Sequence, residues 1–278
     1  NPLATLITIV KSTPISQEQL RHYATSIKQV VIEKINKLRI YLSFKESRQI
    51  SSYGENDKKE GERIFHETLK RLPKFPYRDK WYQEQVKVEL TLIQDLIKKL
   101  VPYGKYRDFF IVAFSSILRP VSNASTSYGN LMIDKKRNKI KNTFELFERR
   151  VNSMLQGMEE YNRLLGRSEA VPVAYTADAR DLCMIEDESI DLIVTHPPYV
   201  AAVPYAEYFK LSMHWLRECF KEEFRDENSQ NTLQPKVLDS IIIGGKRSRK
   251  DVVDRFMNGM TDALREMFRV LKKKKFCC

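Results

Sequence analysis

The stretch Asp191-Leu192-Ile193-Val194-Thr195-His196-Pro197-Pro198-Tyr199 has the residue types and order needed for chemistry on a planar nitrogen compound. Its apolar part reads as a buried strand ending at Thr195. The two prolines then fix φ and remove two backbone donors, so their carbonyls are left to accept. His196 adds a ring nitrogen that accepts when neutral and cannot when protonated. Tyr199 presents a flat aromatic face at the carboxyl edge of the strand, where open α/β sheets bind ligands. Acceptors beside a stacking ring suit a base that bears an exocyclic amine. The amine hydrogens need acceptors to orient the nitrogen lone pair, and the ring needs a stacking partner once it leaves a duplex. The plainer alternatives are a strand-ending turn without a ligand and, for His196 alone, a surface histidine.

The elements that must position this turn follow from periodicity. Val171-Pro172-Val173-Ala174-Tyr175 and Ile190 to Val194 are short β-rich runs, each followed by a polar turn, as parallel strands of an α/β sheet read. Ser16 and Gln19 form a capping-box pattern opening a long amphipathic helix over residues 16 to 45, with Leu20, Ile27, Val31, Ile35, Leu38 and Leu42 on one face. Ser47 to Lys80 is polar and broken by Gly54, Gly61, Pro73 and Pro76, which predicts a connector holding at most a short helix. Helical spacing returns in Leu92 to Leu100, in Phe109 to Leu118 ended by Pro120, and in Phe144 to Met158 with Gly166 as its stop. Two further helical patterns hold Tyr205, Tyr208, His214 and Trp215, all expected in the core, and Val253 to Phe268.

The 278 residues suffice for one large domain or two modest ones. With 48 Lys and Arg against 36 Asp and Glu, the formal charge of +12 favours a polyanionic partner, nucleic acid first. Four cysteines lack CxxC or Cys/His spacing, which excludes a disulfide framework and predicts neither a metal site nor an oxidising compartment. No apolar run reaches membrane-spanning length, so the expectation is a cytoplasmic protein without membrane contact.

The strand followed by His196-Pro197-Pro198-Tyr199 resembles the S-adenosylmethionine-dependent amino-methyltransferases of DNA, which modify adenine N6 or cytosine N4. Their motif is a strand, then Asp, Asn or Ser, then Pro-Pro and an aromatic residue; His196 departs from it. Ala177-Asp178-Ala179-Arg180-Asp181-Leu182 is similar to the segment that presents an acid to the cofactor's adenine. Ala263 to Lys272 is similar to the helix and turn that run into Pro-Gly-Gly, with Lys273 onward standing as an altered end. Asn1-Pro2-Leu3-Ala4 resembles the segment after the ribose-binding acid. The likeness spans residues 171 to 271 well and 1 to 15 weakly.

The resemblance implies a Rossmann-like α/β methyltransferase sheet with a large helical insertion. Residues 1–45 would start the methyltransferase domain, 46–165 would be the insertion and a DNA-recognition region, and 166–278 the catalytic region. His196, Pro197, Pro198 and Tyr199 would be catalytic, and Asn1, Pro2 and Asp178 would border the cofactor, S-adenosylmethionine. Double-stranded DNA would be the partner, in a restriction–modification setting. The methyl would pass directly to the amine, which agrees with the absence of a Pro-Cys nucleophile dipeptide. None of the 9 Gly forms a cofactor loop, so the chain is expected to begin after that loop, with a complementing chain able to supply it. Lys135, Lys136 and Arg137, and Lys246, Arg247 and Arg249, are two basic runs that suit phosphate contacts, with a solvated face as the alternative. Two rival functions share these features: an RNA or protein amine methyltransferase, and a non-catalytic nucleic-acid-binding remnant.

Overall fold

The computed structural model describes residues 1–47, 54–125, 131–134, 142–166, 172–200, 208–219 and 251–278. It divides into two compact units. One comprises Leu6–Val173 with His214–Leu216, and the other Asn1–Thr5, Ala174–Met213 and Arg217–Cys278. Among the described residues the elements make a helix-rich α/β chain with a two-stranded parallel sheet.

The larger unit is helical. Helix α1 spans Pro2–Ser12 and α2 Gln17–Ser47, and Ser16 Oγ accepts from the Gln19 amide at 3.5 Å as the capping pattern predicts. The stripe from Leu20 to Leu42 is buried. The expected connector is instead largely helix, α3 (Glu55–Leu69). Gly61 is no breaker there, because it is where α3 passes the backbone of α2. A Cβ at Gly61 would sit 2.1 Å from the Lys37 carbonyl oxygen.

A short helix α4 (Arg78–Trp81) leads into α5 (Glu84–Leu100) and α6 (Lys105–Val121). Helix α6 runs through Pro120 and ends one residue later than that proline suggested. The Tyr82 hydroxyl donates to the Leu118 carbonyl at 3.1 Å, and burial pushes this phenol's pKa well up. Trp215 packs edge-on against Tyr82 and Phe114 and is 1% exposed, as expected for a core residue. Helix α7 (Thr143–Leu165) is capped by the Asn142 side chain, which accepts from the Glu145 amide, and stops at Gly166 with φ of 57°.

One buried charge ties three of these elements together. Glu89, 0% exposed on α5, takes two bonds from Arg39 of α2 at 2.8 and 3.2 Å and a third from Gln85 at 2.8 Å. The same guanidinium donates at 2.8 Å to Asn142, the residue that caps α7.

In the other unit β1 (Ile190–Ile193) pairs in parallel with β2 (Leu271–Cys277), which follows α9 (Val252–Val270) directly; α8 is Lys210–Leu216. Three expectations need correction here. Residues 172–177 form no strand, and Val171 lies outside the described residues. Lys272 to Lys275, expected as an altered end, lies in the middle of β2, and three of its four lysines meet carboxylates. Lys272 and Lys275 reach the two oxygens of Asp191, and Lys273 reaches Glu188. Nor is β1 buried. With pairing on one edge alone among the described residues, Leu192 and Val194 stand exposed. Tyr208, expected in the core, is also exposed, and Tyr205 lies outside the described residues.

Candidate functional site

The turn His196–Tyr199 is held from one side by the sheet. The last rungs of the ladder are Cys278 N–H to the Ile193 carbonyl and Thr195 N–H to the Cys278 carbonyl, both 2.9 Å. His196 is therefore the first residue beyond the sheet, and Pro197 and Pro198 carry the chain onward with no amides to satisfy. Tyr199 returns toward His196. Its hydroxyl lies 3.2 Å from His196 Nε2, and the rings meet edge to face with centroids 5.3 Å apart. Tyr199 is 60% exposed, so its ring remains available for stacking.

An imidazole and an exposed aromatic ring thus occupy one turn. If the hydroxyl donates, His196 carries its proton on Nδ1.

The loop leading into β1 is clamped by two residues of α9. Glu266 accepts from the Leu182 amide at 2.8 Å and from Arg269 at 3.0 and 2.8 Å. Arg269 also donates to the carbonyls of Leu182 and Ile185 at 3.0 and 3.1 Å and pairs with Asp187. Backbone bonds continue the clamp, Glu188 N–H to Arg269 and Ser189 N–H to Val270, both 2.9 Å, which sets the entry register of β1 beside β2. Sequence reasoning missed this clamp, although the i, i+3 spacing of Glu266 and Arg269 is a visible signal for a helical ion pair.

The Arg269 guanidinium, with the Leu182 amide, holds the Glu266 carboxyl down to about 2 from its ordinary 4.5. A depressed carboxyl pKa contributes stability that is present above the unfolded value and lost as pH falls toward the folded one. Parent and Glu266→Gln should therefore differ in thermal midpoint at pH 6. The gap should close between pH 4.5 and 2; a gap that persists at pH 2 would refute the assignment.

The expected cofactor residues share the unit with this turn. Asn1 caps α1, its side chain accepting from the Leu3 amide at 3.0 Å, and Pro2 occupies the first helical turn, where no amide is needed. Thr5 of the same turn donates to the Tyr175 carbonyl at 3.4 Å and accepts from Thr176 at 2.8 Å. The start of α1 therefore lies against the segment that leads to Asp178. Asp178 itself closes a turn, both oxygens engaging Arg180 at 2.5 to 3.1 Å, and this pairing lowers its pKa. Its carboxylate is the right acceptor for an adenine amine or a ribose hydroxyl, provided Arg180 swings away. Among the described residues no group of His, Cys, Asp and Glu is arranged to hold a metal ion.

Lys135, Lys136 and Arg137, and Lys246, Arg247 and Arg249, lie outside the described residues. No described helix is long and apolar enough to cross a membrane.

The chain is similar to the Type II methyltransferase M.MvaI of Kocuria varians, with 28% identity over 204 residues. That match covers 69% of this chain and 43% of the relative, so the chain spans under half the length of the curated protein it matches. No family model and no solved structure matches the chain.

Proposed function

We propose that the chain belongs to a methyltransferase of a restriction–modification system, transferring methyl from S-adenosylmethionine to an exocyclic amine, cytosine N4 or adenine N6, of a base flipped out of DNA. The observation that carries this is the turn beyond β1, where a ring acceptor, donor-free prolines and an exposed tyrosine stand together. The similarity to a Type II methyltransferase supports it.

In this reading Tyr199 stacks on the extruded base, while His196 Nε2 and the Pro197 carbonyl accept the amine hydrogens and turn its lone pair outward. Pro198 keeps the ring and the acceptors at fixed separation. Asn1, Pro2 and Asp178 would hold the adenosine of the cofactor, whose sulfonium supplies an electrophilic methyl when bound. Residues 46–165 would act as the insertion and DNA-recognition region of a Rossmann-like domain, and double-stranded DNA is the proposed partner.

The test is transfer of labelled methyl from S-adenosylmethionine to duplex DNA. Tyr199→Ala should lower the rate by about 10- to 100-fold, the range expected for one lost base-stacking contact. His196→Ala should lower it as well, with the thermal midpoint unchanged because both residues are exposed. Full activity in both variants would remove the site. Methylation of RNA or protein in preference to DNA would replace the substrate class.

A further inference from the structure

We infer that the turn Lys74–Lys80 is a second contact site for a nucleic-acid strand, which rests on the reading of DNA as substrate. The turn lines an open cavity of about 380 Å³, within the ~300–1,000 Å³ typical of ligand pockets. Its walls are Lys74, Phe75, Tyr77, Arg78, Asp79 and Lys80.

Tyr77 is the unusual member. It adopts left-handed backbone angles, φ of 59° and ψ of 19°, although it carries a bulky side chain, and it is 65% exposed. Such a conformation costs of order ~1 kcal/mol, and an exposed ring gains nothing from core packing to offset it. Strain held at an exposed aromatic points to a task outside folding. The turn around it is stiff: Pro73 and Pro76 fix φ on either side of Phe75, whose ring stacks on His214 at 4.8 Å with planes 4° apart.

The charges favour an anion. Asp79 is the single carboxylate in the wall, and it is engaged by Lys87 and Arg78, which lower its pKa. Lys74 and Lys80 form no ion pair among the described residues, and the Lys80 ammonium lies 5.1 Å from the centre of the Tyr77 ring. Cations flanking an exposed, rigidly presented aromatic are what a strand with phosphates and flat bases requires. The inferred occupant is therefore a strand of the bound DNA, with phosphate on Lys74 and Lys80 and a sugar or base on Tyr77.

Fluorescence anisotropy of the full chain with labelled duplex DNA across a salt series tests this. Lys74→Ala with Lys80→Ala should weaken binding and reduce the slope of log K against log salt by about 2, one per lost phosphate contact. Tyr77→Gly should weaken binding about tenfold while raising the thermal midpoint by about 2–4 °C, because glycine adopts the left-handed region freely. A structural role alone would not move these two readouts in opposite directions. If the parent binds DNA and the lysine pair variant keeps its affinity and slope, the site is overturned and the proposed function stands. If the parent shows no salt-sensitive DNA binding, both fall. Equal losses toward heparin with no effect of Tyr77→Gly would overturn a nucleic-acid strand as the occupant.

Discussion

Arg39→Ala is expected to lower the stability of the helical unit by about 3 kcal/mol, near the low end of the ~3–5 kcal/mol for breaking a buried ion pair. The loss comes less from the arginine than from what it leaves behind. Glu89 is fully buried on α5 and receives two of its three bonds from Arg39. Without them an anion stays in the core with Gln85 alone as donor, and Asn142 loses a partner at the start of α7. The lower figure applies because the Arg39 side chain is about one-third exposed, so water can enter where it leaves. Urea unfolding checks the value. Arg39→Met combined with Glu89→Met should recover most of the loss, since an apolar pair of similar volume needs no compensating charge. A double variant as unstable as Arg39→Ala would show that the pair is not the cause.

Gly61→Ala should destabilise the same unit by about 1–3 kcal/mol, against the sign helix propensity predicts. Alanine in a helix interior ordinarily stabilises by about 0.5–1 kcal/mol relative to glycine. At Gly61 the new Cβ would meet the Lys37 carbonyl oxygen at 2.1 Å, its carbon at 2.8 Å and Tyr41 Cβ at 2.9 Å, so α2 and α3 must move apart. Gly157 in α7 is the internal control, because nothing lies within 4 Å of a Cβ there. Gly157→Ala should raise the unfolding midpoint and Gly61→Ala lower it. Two shifts of the same sign would refute the close approach.

These positions show where the sequence was legible. The stripe from Leu20 to Leu42 and the Ser16 cap announce α2, because burial of one face and satisfaction of the first amides are local requirements. The turn from Thr195 to Tyr199 was equally readable, since proline's effect on the backbone does not depend on distant contacts. Helix α3 was hidden because Gly61 reads as a breaker until the neighbouring helix is in place. Strand β2 was hidden for a related reason. Its four lysines read as an altered end, and three of them make sense in a strand only once Asp191 and Glu188 stand opposite. Val173 to Tyr175 misled in the other direction, because β-rich composition does not supply a partner strand. Asp178 was readable as an acid in a turn, but its capture by Arg180 two residues later was not anticipated.

The ending of β1 bears on the entropy of recognition. Up to Thr195 the chain is fixed by the ladder, and at Pro197 and Pro198 two φ angles are fixed by covalent rings in every state of the chain, unfolded included. Ordering a residue's backbone ordinarily costs about 1–2 kcal/mol. A base stacked on Tyr199, as proposed above, would find part of that ordering already done on the approach to the ring. In the proposed reading, affinity at this turn would be governed by contacts made rather than by freedom lost, and flexibility introduced at Pro197 or Pro198 would weaken base binding without removing a single contact.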